Sequence, residues 1–356
     1  MSLKKILTTI GCVFLFLILC AVANDIIRSM KSEKTKENNK APTTEENVKV
    51  DTCIAKDSRS IRNDKTTIVI EEGTKIIQKG AYSQYIGYTN VEFPNSVEEI
   101  RPNAFDSCID LQEVHLPSSL KEIGIEAFVN CYALQKVILP NSITKIWKNP
   151  FWGSDNLMIV FENGANENNF FMLNNNYLID KRDSSIICYF GRNPIIDNIP
   201  SFVRRIGECA FYKNKYIQRI DLSKSNLIEI DNFAFGYCDN VIYIQFPMSI
   251  QKIGWNPFVN IHYSEGKYFN NEYILLDNQG VIVDKTNQKL ISYVGKDKTI
   301  DLSIGVLNKP IKTIGAFSFV NAAFIKTILH NNVTIDSIER YSGLSKQLIE
   351  SLTHKQ

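Results

Sequence analysis

Glu92-Phe93-Pro94-Asn95-Ser96-Val97 leads to Ile100, then to Ala104-Phe105 and Cys108. His115-Leu116-Pro117-Ser118-Ser119-Leu120 leads in the same way to Ile123, Ala127-Phe128 and Cys131. Ile138-Leu139-Pro140-Asn141-Ser142-Ile143 leads to Ile146 and Pro150-Phe151, with a glycine read in place of the cysteine. Pro94, Pro117 and Pro140 are 23 residues apart, and so are Phe105, Phe128 and Phe151. A fixed period in the twenties is the mark of a solenoid, because one such unit cannot bury its apolar face unless neighbours stack on it.

Within one unit the pattern assigns each letter a place. Val114 and Leu116 alternate with Glu113 and His115, the period of two that makes a short strand with one face inward. Pro117 ends that strand, since proline has no N–H to donate to the next rung. Leu120 and Ile123 form a second inward edge, and Ala127-Phe128 begins a tight turn or a single helical turn with Phe128 in the core. Identical strands stacked in this way form a parallel sheet, and its outward positions are Glu92, Glu113, His115, Lys136 and Ile138. Those five are the candidate binding residues, because solenoids meet partners on such ladders. Phe105, Phe128, Phe151, Phe211, Phe235, Phe258 and Phe317 are assigned to the repeated core slot.

The period extends backwards to Ile68-Val69-Ile70, Ile77 and Ala81-Tyr82, a unit that has lost its proline and cysteine as a terminal cap does. Forwards it is interrupted twice. Asn149-Pro150-Phe151 and Asn256-Pro257-Phe258 each close a run, and each is followed by an asparagine-rich stretch with paired apolar segments. Tyr177 to Lys181 turns into Ile186 to Gly191, and Val281 to Lys285 turns into Leu290 to Gly295. Asp180 and Asp284, Tyr189 and Tyr293, and Gly191 and Gly295 are 104 residues apart, so a run of turns followed by a β-hairpin occurs twice. The divisions expected are a first run over 51–161, a hairpin insert over 162–200, a second run over 201–260 and a second insert over 261–300. Residues 301–356 hold the last clear turn, Ile314-Gly315-Ala316-Phe317, and a short amphipathic helix through Leu344, Leu348, Ile349 and Leu352.

Ahead of the array, Lys4-Lys5 precede an apolar run from Ile6 to Ala23. Residues 1–23 read as a secretory signal peptide, with a retained N-terminal membrane anchor through residues 6–23 as the alternative. Arg28, Lys31, Lys34 and Lys36 follow the run, which disfavours a retained anchor with an exported C-terminal side. Residues 24–50 carry almost nothing to bury and read as a disordered tether.

The consensus Leu-x-x-Val-x-Leu-Pro-x-Ser-Leu-x-x-Ile-Gly-x-x-Ala-Phe-x-x-Cys, readable from Leu111 to Cys131 and from Leu134 to Phe151, resembles the BspA-type leucine-rich repeat. The Asn-Pro-Phe interruptions with their hairpins are similar to that family as well, over about Ile68 to Phe319. The resemblance implies a leucine-rich repeat solenoid: short parallel β-strands stacked with short helical or 3-10 turns, interrupted by two β-hairpin inserts. It also implies a secreted or cell-surface protein, non-catalytic and adhesive. Such a protein would bind a protein or cell-surface partner through the sheet face and the hairpin inserts. The family carries no catalytic residues to transfer.

Bulk composition agrees. The 40 Lys and Arg against 38 Asp and Glu leave a net charge of +2, too little to recruit nucleic acid by field alone. The eight cysteines are sparse in a chain of 356 residues; Cys108, Cys131 and Cys238 share one slot, which reads as packed thiols. His115, His262, His330 and His354 are scattered, with no metal-ligand spacing to one another or to cysteine, so no metal or cofactor is expected. Asp180, Asp183, Asp277 and Asp284 in the inserts support an alternative reading as a hydrolase, although Asp, Asn and Gly are also ordinary turn residues. A structural surface-layer component is the third possibility.

Overall fold

The computed structural model describes residues 66–262, 268–302, 310–320, 322–330 and 335–353. The signal or anchor over 1–23 and the tether over 24–50 lie outside the described residues.

Alternating apolar positions produce the expected front sheet. Thr67–Val69, Asn90–Glu92, Glu113–His115, Lys136–Leu139 and Met158–Phe161 pair in that order, all in parallel. Val91, Val114, Val137 and Ile159 point inward and are buried. Pro117 follows Leu116, and after it the chain turns to a second parallel sheet of two-residue strands. There Ile77, Ile100, Ile123 and Ile146 stand in register, again buried. Gly124, next to that row, passes so close to the preceding turn that a Cβ would lie 2.6 Å from the Pro102 nitrogen. The glycine of the repeated Ile-Gly pair is therefore a packing requirement at this position.

The third side of each rung takes the tight-turn form rather than the helical one. In the turn from Arg101 to Cys108, Ala104, Asp106 and Cys108 donate their N–H groups back within the turn, to Arg101, Asn103 and Phe105. The alternate donors leave it. Asn103, Phe105 and Ser107 donate to the carbonyls of Ile125, Ala127 and Val129 on the next rung, at 3.0, 2.8 and 2.8 Å. Asn103 and Ser107 hold φ at 58°, the left-handed conformation that residue i+2 of a type II turn adopts. Pro102 before Asn103 sits where such a turn favours proline.

Phe105, Phe128 and Phe151 stack behind these turns, with ring centroids 5.0 and 5.8 Å apart. Tyr82 extends the column at 5.2 Å, as the degenerate first unit implied. Phe211, Phe235 and Phe258 repeat it at 4.5 and 5.6 Å. Ser154, rather than a glycine, fills the cysteine slot three residues after Phe151, and its Oγ donates to the Cys131 carbonyl at 3.1 Å.

Phe317 departs from the expected slot. Every other core aromatic of the column lies five residues after the inward isoleucine. Five after Ile314 is Phe319, with Ser318 in the alanine position. Phe319 accordingly packs in the core cluster of the last rungs. Phe317 instead stacks on Tyr341 of the following rung, with ring centroids 5.9 Å apart.

The inserts are more than hairpins. The first adds one strand ahead of the expected pair and the second adds two; in the first, Phe171–Asn174, Tyr177–Asp180 and Ser185–Tyr189 form an antiparallel meander. Asn175 and Asn176 link the first two strands, both at positive φ, as a two-residue hairpin loop requires. The last strand then pairs in parallel with Arg205–Ile206 and starts the second run's inner sheet. Phe269–Asn270, Ile274–Leu276, Val281–Asp284 and Lys289–Tyr293 form a four-stranded version of the meander and hand over to Thr313–Ile314.

The inner pairs, Tyr177–Asp180 with Ser185–Tyr189 and Val281–Asp284 with Lys289–Tyr293, are buried on both faces. Leu178 and Ile187 pack with the first run's core, whereas Tyr177, Ile179, Ile186 and Tyr189 pack with the second run's. That explains the unbroken apolar sequence Ile186-Ile187-Cys188-Tyr189, which is how a strand covered on two sides reads. The expectation that the hairpin inserts offer a second recognition surface therefore does not hold for these inner pairs.

Asn-Pro-Phe marks a splice rather than a stop. Tyr189 takes the place of a core phenylalanine: its N–H donates to the Ala210 carbonyl at 2.8 Å and its ring lies 5.0 Å from Phe211. Asn149, buried, bridges the gap. Its Nδ2 donates to the Cys209 carbonyl at 3.0 Å, and its Oδ1 accepts from the Phe151 N–H at 3.1 Å. Asn256 reaches across the second insert in the same way, donating to the Phe317 carbonyl at 2.6 Å. Beyond it the array continues further than the sequence suggested, since Ser337–Ile338 pairs with Thr313–Ile314. The helix Lys346–Thr353 then lays Leu348 and Leu352 on the last core cluster.

Two pairs of substitutions test this frame. Phe128→Ala should lower unfolding free energy by about 3–5 kcal/mol, with His115→Ala near neutral, in urea melts followed by circular dichroism. Asn149→Ala should cost about 1–3 kcal/mol by orphaning the buried Phe151 N–H, whereas Asn141→Ala, on the exposed turn of the same rung, should cost almost nothing. Equal losses in either pair would contradict the inward and outward assignments.

Candidate binding face

The outward residues of the front sheet form two rows. Strand register aligns Asn90, Glu113, Lys136 and Met158 in one row. His115, Ile138 and Val160 form the other, with Glu92 on the rung before. Glu92, Glu113 and His115 are exposed, and Lys136 and Ile138 are half-buried. All five sequence candidates thus lie on one face. Lys136 Nζ meets Glu113 Oε1 at 2.9 Å across the rungs; as a partly exposed pair it contributes little to stability.

A groove of about 590 Å³ runs beside the first row. Asn90, Glu113, Lys136 and Met158 form its floor, and Gln112, Gln135, Asn156 and Arg192 its wall. Gln112 and Gln135 occupy the same position just before successive strands. Met158 is 49% exposed, so an apolar side chain stands open in an otherwise polar channel. Arg192 comes from the loop after the first insert. Its NH2 group donates to Asn156 Oδ1 at 2.6 Å, and its guanidinium carbon lies 5.6 Å from the Tyr216 ring centroid. Lys215 flanks the same ring at 5.3 Å and pairs with Asp155 at 2.6 Å. The hydrogen bond to Asp155 is the main reason the Lys215 pKa is raised.

Of the groove residues, the sequence pointed to Glu113 and Lys136. Gln112 and Gln135 were detectable, being 23 residues apart in one slot. Arg192 and Asn156 sit where the repeat is broken, so periodicity carried no signal for them.

The insert carboxylates have local structural roles. Asp180 accepts from the Arg182 backbone and guanidinium, and Asp183 accepts from the Ser185 N–H. Asp277 accepts from the Gln279 and Val281 N–H groups, and Asp284 from Asn287. Each brackets its own turn, which is the ordinary use of aspartate there. Among the described residues no group of three His, Cys, Asp or Glu side chains could hold a metal ion.

The repeated thiols are packed and also hydrogen-bonded. Cys108, Cys131 and Cys238 donate to the carbonyls of Tyr82, Phe105 and Phe211 on the preceding rungs, at 3.1, 3.3 and 3.1 Å. Burial pushes the Cys108 thiol up to about 12 and raises Cys131 and Cys238 as well.

Residues 61–177 and 195–276 match the family described as BspA type Leucine rich repeat region, in six copies. No curated protein matches the chain. Among solved structures, a leucine-rich repeat protein from Eubacterium ventriosum is similar at 16% identity and TM-score 0.52, covering 75% of this chain and 73% of that one. The pneumococcal vaccine antigen PcpA is similar at 16% identity and TM-score 0.44, covering 81% of this chain and 77% of that one. At these identities the likeness to the Eubacterium protein shows the fold alone.

Raised thiol pKa values predict slow alkylation, since the thiolate is the reactive form. In the native protein at pH 8, iodoacetamide should leave Cys108, Cys131 and Cys238 unmodified by peptide mass spectrometry, and label all three once urea unfolds the array. Native labelling at the rate of an exposed cysteine would contradict the packed slot.

Proposed function

The chain belongs to the BspA-type leucine-rich repeat family, and we propose that it is an exported, non-catalytic recognition protein that binds a protein or cell-surface partner through its front sheet. The observation that carries this reading is the division of labour within each rung. The repeated letters (Pro, Ile, Ala-Phe, Cys) are consumed by the core and turns, while Glu92, Glu113, His115, Lys136 and Ile138 vary from rung to rung and face outward. Side chains that lie outside the core and the turns are the ones available to select a partner. The apolar run from Ile6 to Ala23 supports export, and the family resemblance supports a cell-surface or secreted location.

The test is adhesion of the full chain to cells, compared with a charge-reversed Glu113→Lys/Lys136→Glu variant carrying His115→Ala. We expect a loss of about tenfold or more in cell binding, the scale of removing central contacts, with melting unchanged. Undiminished binding by a folded variant would reject the front sheet as the recognition face.

A further inference from the structure

We propose that the groove beside the first row binds an acidic oligosaccharide, with the carboxylate of one sugar seated on Arg192. This rests on the reading of the front sheet as the recognition face and names the ligand of the groove along its first row.

Arg192 carries the argument. An arginine is charged at any physiological pH and presents donors in a fork that fits a carboxylate. Here it meets neutral groups, the Asn156 amide oxygen and the face of Tyr216. Glu113, on the groove floor, is already engaged by Lys136 at 2.9 Å, so it leaves the Arg192 charge uncompensated. The groove consequently favours an anion at its Arg192 end.

The remaining lining favours hydroxyl groups. Gln112 and Gln135 are exposed, and neither side chain makes a hydrogen bond among the described residues. A carboxamide offers both donors and an acceptor, which suits a ligand whose every hydroxyl is also both. Rungs of a sheet are about 4.8 Å apart, close to the reach of one pyranose ring. Met158 supplies an apolar contact for the C–H face of such a ring.

A peptide fits less well. Of the rungs beside the groove, Asn90–Glu92, Glu113–His115 and Lys136–Leu139 are paired on both sides, which leaves only Met158–Phe161, the last strand of the sheet, with an edge that a peptide could extend. Met158 is the sole apolar side chain lining the groove, whereas peptide anchors need desolvated apolar pockets.

The experiment is calorimetric titration of the full chain with a hyaluronan hexasaccharide and with sialyllactose, each beside its carboxyl-reduced form, and with hexaglutamate. We expect at least one acidic sugar to bind, its reduced form to bind about tenfold more weakly, and Arg192→Gln to abolish that difference. Arg192→Lys, which keeps the charge and loses the fork, should recover part of it. Failure of both acidic sugars, equal binding of the reduced forms, tighter binding of hexaglutamate, or indifference to Arg192→Gln would each overturn the assignment. If cell adhesion still falls in the charge-reversed Glu113→Lys/Lys136→Glu variant, the recognition face survives and only the sugar is lost.

Discussion

Alternate backbone donors in each outer turn are satisfied only by the next rung. Phe105 donates to Ala127 and Phe128 to Pro150, while the intervening N–H groups close their own turns. A buried N–H without a partner is costly, so a rung in isolation would be unsatisfied along one side. The thiols add a link in the opposite direction, donating backwards to the preceding rung. Stacking is therefore a condition of each turn's existence, beyond the burial of its apolar face.

That constraint explains the form of the interruptions. Leaving the solenoid for an insert would strand the Phe151 N–H at one end and the Ala210 carbonyl at the other. Asn149 meets both needs with one side chain, and Tyr189 supplies the missing ring and N–H. The insert is then a layer of the stack. Its alternating residues face the two runs in turn, so the core is continuous in contact across the break.

Legibility in the sequence follows the same division. The period of 23, the inward valines and isoleucines, and the phenylalanine column are readable because each letter recurs. Phe317 misleads because the Ala-Phe dipeptide recurs there, when spacing from Ile314 points to Phe319. The extra strand at Phe171 is hidden by the asparagines after it, which resemble a loop yet supply the positive φ of a tight hairpin. The role of Asn149 depends on a partner 60 residues away, and no local pattern could disclose it. In the candidate site, strand alternation exposes Glu113 and Lys136, whereas Arg192 lies in a loop without a repeat to compare.

A frame of this kind separates stability from recognition. Substitution at an outward strand position removes no inter-rung backbone bond, because those bonds belong to the main chain, and no core contact, because the adjacent residues carry it. Similarity to the Eubacterium ventriosum protein at 16% identity shows how far side chains can diverge while the fold persists. The separation is weakest where the repeat breaks. At the first splice, Asn156 and Arg192 are positioned by the end of one run and the exit from an insert, so their geometry depends on the layer beneath them. A groove built there inherits the rigidity of the stack without the uniformity of its rungs, which is what a selective site on a repetitive surface requires.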